Sequence, residues 1–378
     1  MELISVKLGD LVASGEAIIK TGPFGTQLKA AEYVDYGTPV INVKNIGFGE
    51  VVRNKLDMVG QATLERLETH ILRAGDIVFG RKGAVERHAY ISEAEAGWMQ
   101  GSDCIRLRID SERVNSHYLS YYFLTPKHKA FMIGMCSHGT TMASLNQKIL
   151  EQIEIPIPDT RIQNKIVSIL KTIDDRIGLN SKINDNLQQQ AQAIYASMFI
   201  TNADPAWTQG LLSDLITVKY GKDHKKLADG MYPVFGSGGI MRYVERPLYT
   251  GESVLIPRKG TLNNVMYVNE PFWSVDTMFF TEMKIPNVAK FVFHFVKAKD
   301  LASMNAGSAV PSMTTDILNA LELTIPSADR LAEFESAVAP IYQMMQVNRR
   351  ESAKLAELRD MLLPKLMAGT VNVSSIQI

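Results

Sequence analysis

Two stretches of this chain, SLNQKILEQIEIPIP at residues 144–158 and SMTTDILNALELTIP at residues 312–326, superpose at a constant shift of 168 positions. Ile149, Leu150, Ile153, Ile155 and Ile157 fall on Ile317, Leu318, Leu321, Leu323 and Ile325. Upstream, GDIVFGRKG (75–83) is answered by GESVLIPRKG (251–260), one residue longer but with the same Arg-Lys-Gly ending, and LGDLVASG near Leu8 recurs weakly as LSDLITVKYG from Leu212. An internal repeat constrains the fold more than any motif, because each half has to build a similar unit. The 378 residues are enough for each unit to bury its own core.

The repeat has the order A, B, A′, B′. Segments A (1–158) and A′ (205–326) are rich in short alternating runs such as PVINVKNI and CIRLRID, punctuated by Gly and Pro, which read as strands. Each also holds one helical-looking apolar stretch, HYLSYYFL or AKFVFHFVKA, so the expected class is α+β dominated by β-structure. Segments B (159–200) and B′ (327–378) read as long helices. Ile166, Ile173, Asn180, Leu187 and Ile194 recur every seven residues in B, and Phe334, Ile341, Asn348, Leu355 and Leu362 do so in B′. That is the seam of a coiled coil. The alternate seam places are mixed (Ile169, Arg176, Ile183, Gln190), so Leu170 and Ile177 have to widen the apolar stripe. Pro340 should kink B′ or delay its start. Asn180 and Asn348 each sit at the centre of their helix. Antiparallel pairing in full overlap brings the two amides together, where they fix register at some expense of stability. Helices of this length span roughly 57 Å, so the expected molecule has two similar heads, a rod and an approximate two-fold axis. Duplex DNA is a common partner with the same symmetry.

Composition excludes several alternatives. The opening MELISVKLGDLVASGE has acidic residues and no long apolar core, which argues against a signal peptide, and no apolar run is long enough for a membrane span. A cytosolic location is the expectation. Cys104 and Cys136 form no CxxC pair, and with His117, His128 and His138 their spacing fits no standard metal site. There is no P-loop, GSGG does not extend to GxGxxG, and no clustered carboxylates with a lysine suggest a nuclease. No catalytic residue, metal or cofactor is expected. Forty Lys+Arg balance forty Asp+Glu, so the isolated chain should grip DNA weakly.

Candidate contact residues lie where Gly and a cation share a loop. In A these are Thr21, Phe24 and Thr26 of TGPFGT, Lys44 with Asn45, and Arg81 with Lys82. In A′ they are Tyr220, Lys222 and Lys225 of KYGKDHKK, Ser237 of GSGG, and Arg258, Lys259 and Thr261. Gly lets backbone approach a phosphate, Lys and Arg neutralise it, and Arg or Asn can read base edges.

Residues 21–46 (TGPFGTQLKAAEYVDYGTPVINVKNI), the LRAGDIVFGRKG run, YPVFGSGGI (232–240) and the IPIP-to-long-helix junction together resemble the specificity subunits of Type I restriction-modification enzymes, over nearly the whole chain. The resemblance implies two target recognition domains, 1–158 and 205–326, each reading one half of a bipartite double-stranded DNA target. It implies two conserved helical regions, 159–200 and 327–378, whose antiparallel coiled coil sets the spacing and docks two modification (methyltransferase) subunits. Those partners carry S-adenosylmethionine and methylate adenine at N6, and restriction (endonuclease/translocase) subunits join them for cleavage. The difference between TGPFGT and KYGKDHKK implies an asymmetric target. A two-headed DNA-binding regulator without partners and a coiled-coil adaptor protein are the competing classes.

Overall fold

A computed structural model describes residues 2–23, 25, 27–136, 143–304 and 312–373. The chain divides into two compact units, residues 1–179 with 351–378 and residues 180–350. Each long helix therefore contributes one stretch to each unit. Among the described residues no helix is long and apolar enough to cross a membrane.

In the first unit the strand Cys104–Ile109 pairs antiparallel with Ala17–Thr21 on one side and Ile77–Gly80 on the other. His88–Tyr90 and Phe48–Gly49 complete this five-stranded sheet. Ile77–Gly80 is buried on both faces, which is why it reads as a continuous apolar run. A second sheet joins Tyr33–Val34, Asp57–Val59, Thr38–Ile41 and Met99–Gln100, and its last pair is parallel. The helix Ser116–Phe123 is capped by the Asn115 side chain, which accepts from the His117 and Tyr118 amides, and it buries Tyr118, Leu119 and Phe123. PVINVKNI is not one strand: it stops at Ile41, and Val43–Asn45 turns as a 3-10 helix, with Asn45 Oδ1 accepting from the Asn42 amide at 3.3 Å.

The second unit repeats this plan. Met278–Met283 lies between Ile216–Tyr220 and Ser253–Pro257, with Met266–Val268 beyond. A three-stranded sheet of Gly239–Val244, Tyr232–Gly236 and Trp273–Ser274 again contains one parallel pair. Ala289–Lys297 is the equivalent helix, burying Phe291, Val292, Phe293 and Val296. In each unit a short strand pairs with the IPIP-type strand, Ile4–Lys7 with Glu154–Ile157 and Thr208–Leu211 with Glu322–Ile325.

The long helices run Thr160–Ala196 and Ala328–Met367. Their starts are set by equivalent caps: Asp159 Oδ1 accepts from the Ile162 amide at 3.0 Å and Ser327 Oγ from the Arg330 amide at 3.3 Å. The delayed start expected from Pro340 does not occur. Pro340 removes one amide donor, but Phe334, Val338 and Tyr342 are buried around it, and each such burial contributes about 1.5–3 kcal/mol. The seam is as expected at Ile166, Ile173, Asn180, Phe334 and Asn348, all buried, and Leu170 widens it.

Within each unit the two helical stretches pair antiparallel. In the first, Arg176 bonds Glu351 at 3.1 Å and Asp174 bonds Arg359 at 3.0 Å. In the second, Asn180 Nδ2 donates to Asn348 O at 3.4 Å, and Asn184 Nδ2 donates to Met345 O at 3.2 Å. The two central asparagines thus meet, but through a backbone carbonyl, and the side chain bonded to Asn348 Nδ2 is Asn184, at 2.9 Å. Replacing Asn180 and Asn348 together by Leu should raise the melting temperature by about 2–6 °C, because an apolar pair of that volume escapes desolvation. Light scattering should at the same time show new association as register loosens. Unchanged assembly with a lower melting temperature contradicts this role.

Equivalent hydrogen-bond locks tie each head's helix to both helical stretches. In the first unit Tyr121 Oη donates to Asp174, which also binds Arg359. In the second, His294 Nδ1 lies 2.7 Å from Gln192 Oε1 and its Nε2 lies 2.9 Å from Tyr342 Oη. The neutral ring donates from Nδ1 to the Gln192 oxygen and accepts at Nε2 from the Tyr342 hydroxyl. Burial, with a smaller push from Lys297, lowers its pKa to about 4. The unfolded chain then takes up the proton first, so this stability is intact above an ordinary histidine value of about 6.5 and is lost as pH falls towards 4. Melting temperatures should drop through that window, and the drop should be smaller in His294→Gln.

Candidate nucleic-acid interface

In each unit some of the predicted contact residues flank one end of the main sheet, and equivalent backbone bonds hold those there. In the first unit Thr21 ends its strand opposite Ile105, the Gly22 amide donates to Cys104 O at 2.9 Å, and the Arg81 amide donates to Asp103 O at 2.8 Å. In the second unit Tyr220 ends its strand opposite Phe279, the Gly221 amide donates to Met278 O at 3.0 Å, and the Arg258 amide donates to Thr277 O at 2.9 Å. Lys82 bridges Ser144 and Lys259 bridges Ser312, which are repeat equivalents. Gly83 and Gly260 follow with φ of 82° and 84°, a left-handed conformation that favours Gly and explains the repeated Arg-Lys-Gly ending.

Around the first turn, Thr21 Oγ1 accepts from Gln147 Nε2 at 3.2 Å. Gln147 is a polar anchor that sequence reasoning missed, because it starts a short helix without a motif of its own. The 43–45 turn abuts the same edge: a Cβ on Gly80 would sit 3.3 Å from Val43 Cγ1. Lys44 pairs with Asp57 at 2.8 Å and holds that carboxyl below its ordinary pKa. Asn45 is buried, with Nδ2 donating to Val52 O at 3.0 Å and Asn54 O at 3.2 Å. In this conformation its amide shapes the loop that presents Lys44 and is turned away from solvent. Phe24 and Thr26 lie outside the described residues.

Around the second turn, the Arg258 guanidinium lies over the half-exposed Tyr220 ring, 5.4 Å from its centroid, with Nη1 3.3 Å from Asp276 O. This cation-π contact pre-orients the arginine at a wet surface. Ser237 is drawn in as well: Asn264 Nδ2 donates to Ser237 O at 2.8 Å, and a Cβ on Gly260 would lie 2.7 Å from Ser237 Oγ. Thr261 is exposed beside it. The Lys222 amide donates to Ser274 O and its carbonyl accepts from Trp273 Nε1, both at 2.8 Å, which leaves the side chain exposed. Lys225 sits further out, its amide bonded to Asp223 Oδ1 at 3.1 Å. Among the described residues no three His, Cys, Asp or Glu side chains are grouped to hold a metal ion; Cys104, His128 and Cys136 are buried, and His138 lies outside the described residues.

Each unit can thus present cations and a hydroxyl to a polyanion, and the second adds the Tyr220 ring. Comparisons with known proteins bear on the family and the fold. The specificity subunit of the Type I restriction enzyme MjaIX from Methanocaldococcus jannaschii is 22% identical over 311 residues, covering 71% of this chain and 72% of that one. The HindI specificity subunit from Haemophilus influenzae is 19% identical, with 87% and 94% covered. The crystal structure of a Type I restriction-modification S subunit from M. genitalium shares the fold, with a TM-score of 0.61 at 16% identity over 97% of this chain and 96% of that one. A family model for the Type I restriction modification DNA specificity domain matches residues 5–189 and 206–331. With most of its length matched by that model, and the same cationic sheet end built in each half, the chain belongs to the family of Type I restriction-modification DNA specificity subunits.

Proposed function

We propose that this chain reads an asymmetric, bipartite DNA target on behalf of partner enzymes. Residues 1–158 and 205–326 serve as target recognition domains. The first presents Thr21, Lys44, Arg81 and Lys82. The second presents Tyr220, Lys222, Lys225, Ser237, Arg258, Lys259 and Thr261. The helical regions 159–200 and 327–378 set the spacing between half-sites and dock two methyltransferase subunits, which bring S-adenosylmethionine; endonuclease subunits join for cleavage, all in the cytoplasm. The observation that carries this reading is the Arg-Lys-Gly turn, pinned to the same sheet end in both units by equivalent bonds but surrounded by different side chains. Equal scaffolds with different surfaces suit two different half-sites. The balanced charge of the chain fits a reader whose partners supply much of the phosphate grip.

Co-expression with a neighbouring methyltransferase-like gene tests this. A stable complex that methylates DNA is expected. Tight sequence-specific binding by the lone chain without copurification favours an independent regulator, and failure of every assembly to protect DNA favours an adaptor.

A further inference from the structure

Beside the Arg258 turn the second unit carries an exposed apolar feature that a cationic interface does not by itself explain. Tyr232–Gly236 and Gly239–Val244 form a hairpin, the latter strand at the sheet edge. Ile240 and Met241, neighbours on that edge strand, are 51% and 61% exposed. Neighbouring strand residues ordinarily face opposite ways. Here the register shifts: Val234 pairs with Arg242 and Phe235 with Ile240, leaving Met241 as the extra residue. Such a bulge re-aims a side chain. Gly236 makes room for it, since a Cβ there would lie 2.5 Å from Met241 Sδ.

The hairpin is continuous with the cationic surface. Its Ser237 meets the Gly260 turn, as described above. Along the edge strand runs the lysine-bearing loop, held by Arg242 Nη2 donating to Leu227 O and the Glu245 amide donating to Ala228 O, both at 3.0 Å. Between positions 219 and 261 the sequence has eight Lys and Arg against four Asp and Glu, in a chain that is balanced overall. That excess of positive charge around an apolar tip favours a polyanion over an apolar protein partner.

Building on the DNA-reading function above, we propose that this hairpin enters the major groove of one half-site and that Ile240 and Met241 read a thymine through its C5-methyl group. A two-stranded ribbon fits the major groove of B-DNA, and the thymine methyl is an apolar mark displayed there. Among the described residues the first unit has no counterpart to this tip: its equivalent strands, Thr38–Ile41 and Asp57–Val59, are joined by a longer connection that carries Lys44. Methyl reading is therefore confined to one half of the target.

The test uses the assembled methyltransferase and target duplexes in which each thymine in turn is replaced by deoxyuridine, which lacks only the methyl. One or two positions in a single half-site should lower kcat/KM by about fourfold, the effect of one buried methyl. In the Ile240→Ser, Met241→Ser double variant that sensitivity should vanish, with discrimination in the other half-site unchanged. A defined target indifferent to every replacement, or sensitivity that survives in the variant, overturns the hairpin's role alone. A variant that no longer assembles assigns the surface to a protein partner and also overturns it. A complex that modifies no DNA overturns both this assignment and the function on which it rests.

Discussion

Arg258→Ala with Lys259→Ala, introduced into the assembled enzyme, is expected to lower methylation of the target by about 10- to 100-fold, the range for losing one bidentate base contact with its charge. The loss should relax discrimination in one half-site only, and Arg81→Ala with Lys82→Ala should do the same for the other. The expectation follows from how the turns are held. Their main chains are tied to the residue just before the central strand, Asp103 in one unit and Thr277 in the other, so each turn is held at a fixed edge. Methylation of randomised duplexes separates this from a phosphate grip. If either pair weakens all sequences alike and mainly reduces the salt slope, these turns hold DNA without reading it.

Gly22→Ala and Gly221→Ala should each lower stability by about 3 kcal/mol and disable one recognition surface. A Cβ at Gly22 would lie 1.9 Å from Gly101 O, and one at Gly221 would lie 2.0 Å from Val275 O. Those carbonyls belong to the main chain just past the strands Met99–Gln100 and Trp273–Ser274 and cannot retreat like side-chain ends, so the strand end carrying Thr21 or Tyr220 has to move. Thermal melts of the single variants should fall by about 5–10 °C. Gly178→Ala is the control: a Cβ there meets nothing within 4 Å, and in a helix interior it should be neutral or stabilising. Melts of Gly22→Ala and Gly221→Ala that match the parent contradict the close approach.

Much of this architecture was legible because it is periodic. Heptads placed Ile166, Ile173 and Phe334 on a buried seam, and the repeat predicted equivalent turns at Arg81 and Arg258 before any contact was visible. Periodicity says nothing about which polar atom meets which. Asn184 shares the central amide network with Asn348, yet it lies off the seven-residue series that singled out Asn180. Asn45 looked like a base reader because it follows Lys44; its burial depends on the 52–54 backbone folding over it, a contact with no local sequence signal. Arg176, an awkward seam residue, turns outward to Glu351. Met241 was invisible for a similar reason: a bulge breaks the alternation from which strand faces are read, and only the pairing register reveals it. The caps Asp159 and Ser327 act within three residues of their own helices, a local signal that the seven-residue spacing does not carry.

The central claim is that two separate surfaces on one chain choose two separate stretches of DNA. Mapping methylated adenines after the purified complex acts on a randomised duplex library tests it most directly. The account predicts one asymmetric motif of two specified blocks around an unspecified spacer, with changes at Arg258 altering one block and changes at Arg81 the other. A single continuous motif, or one that both changes alter in the same positions, contradicts it.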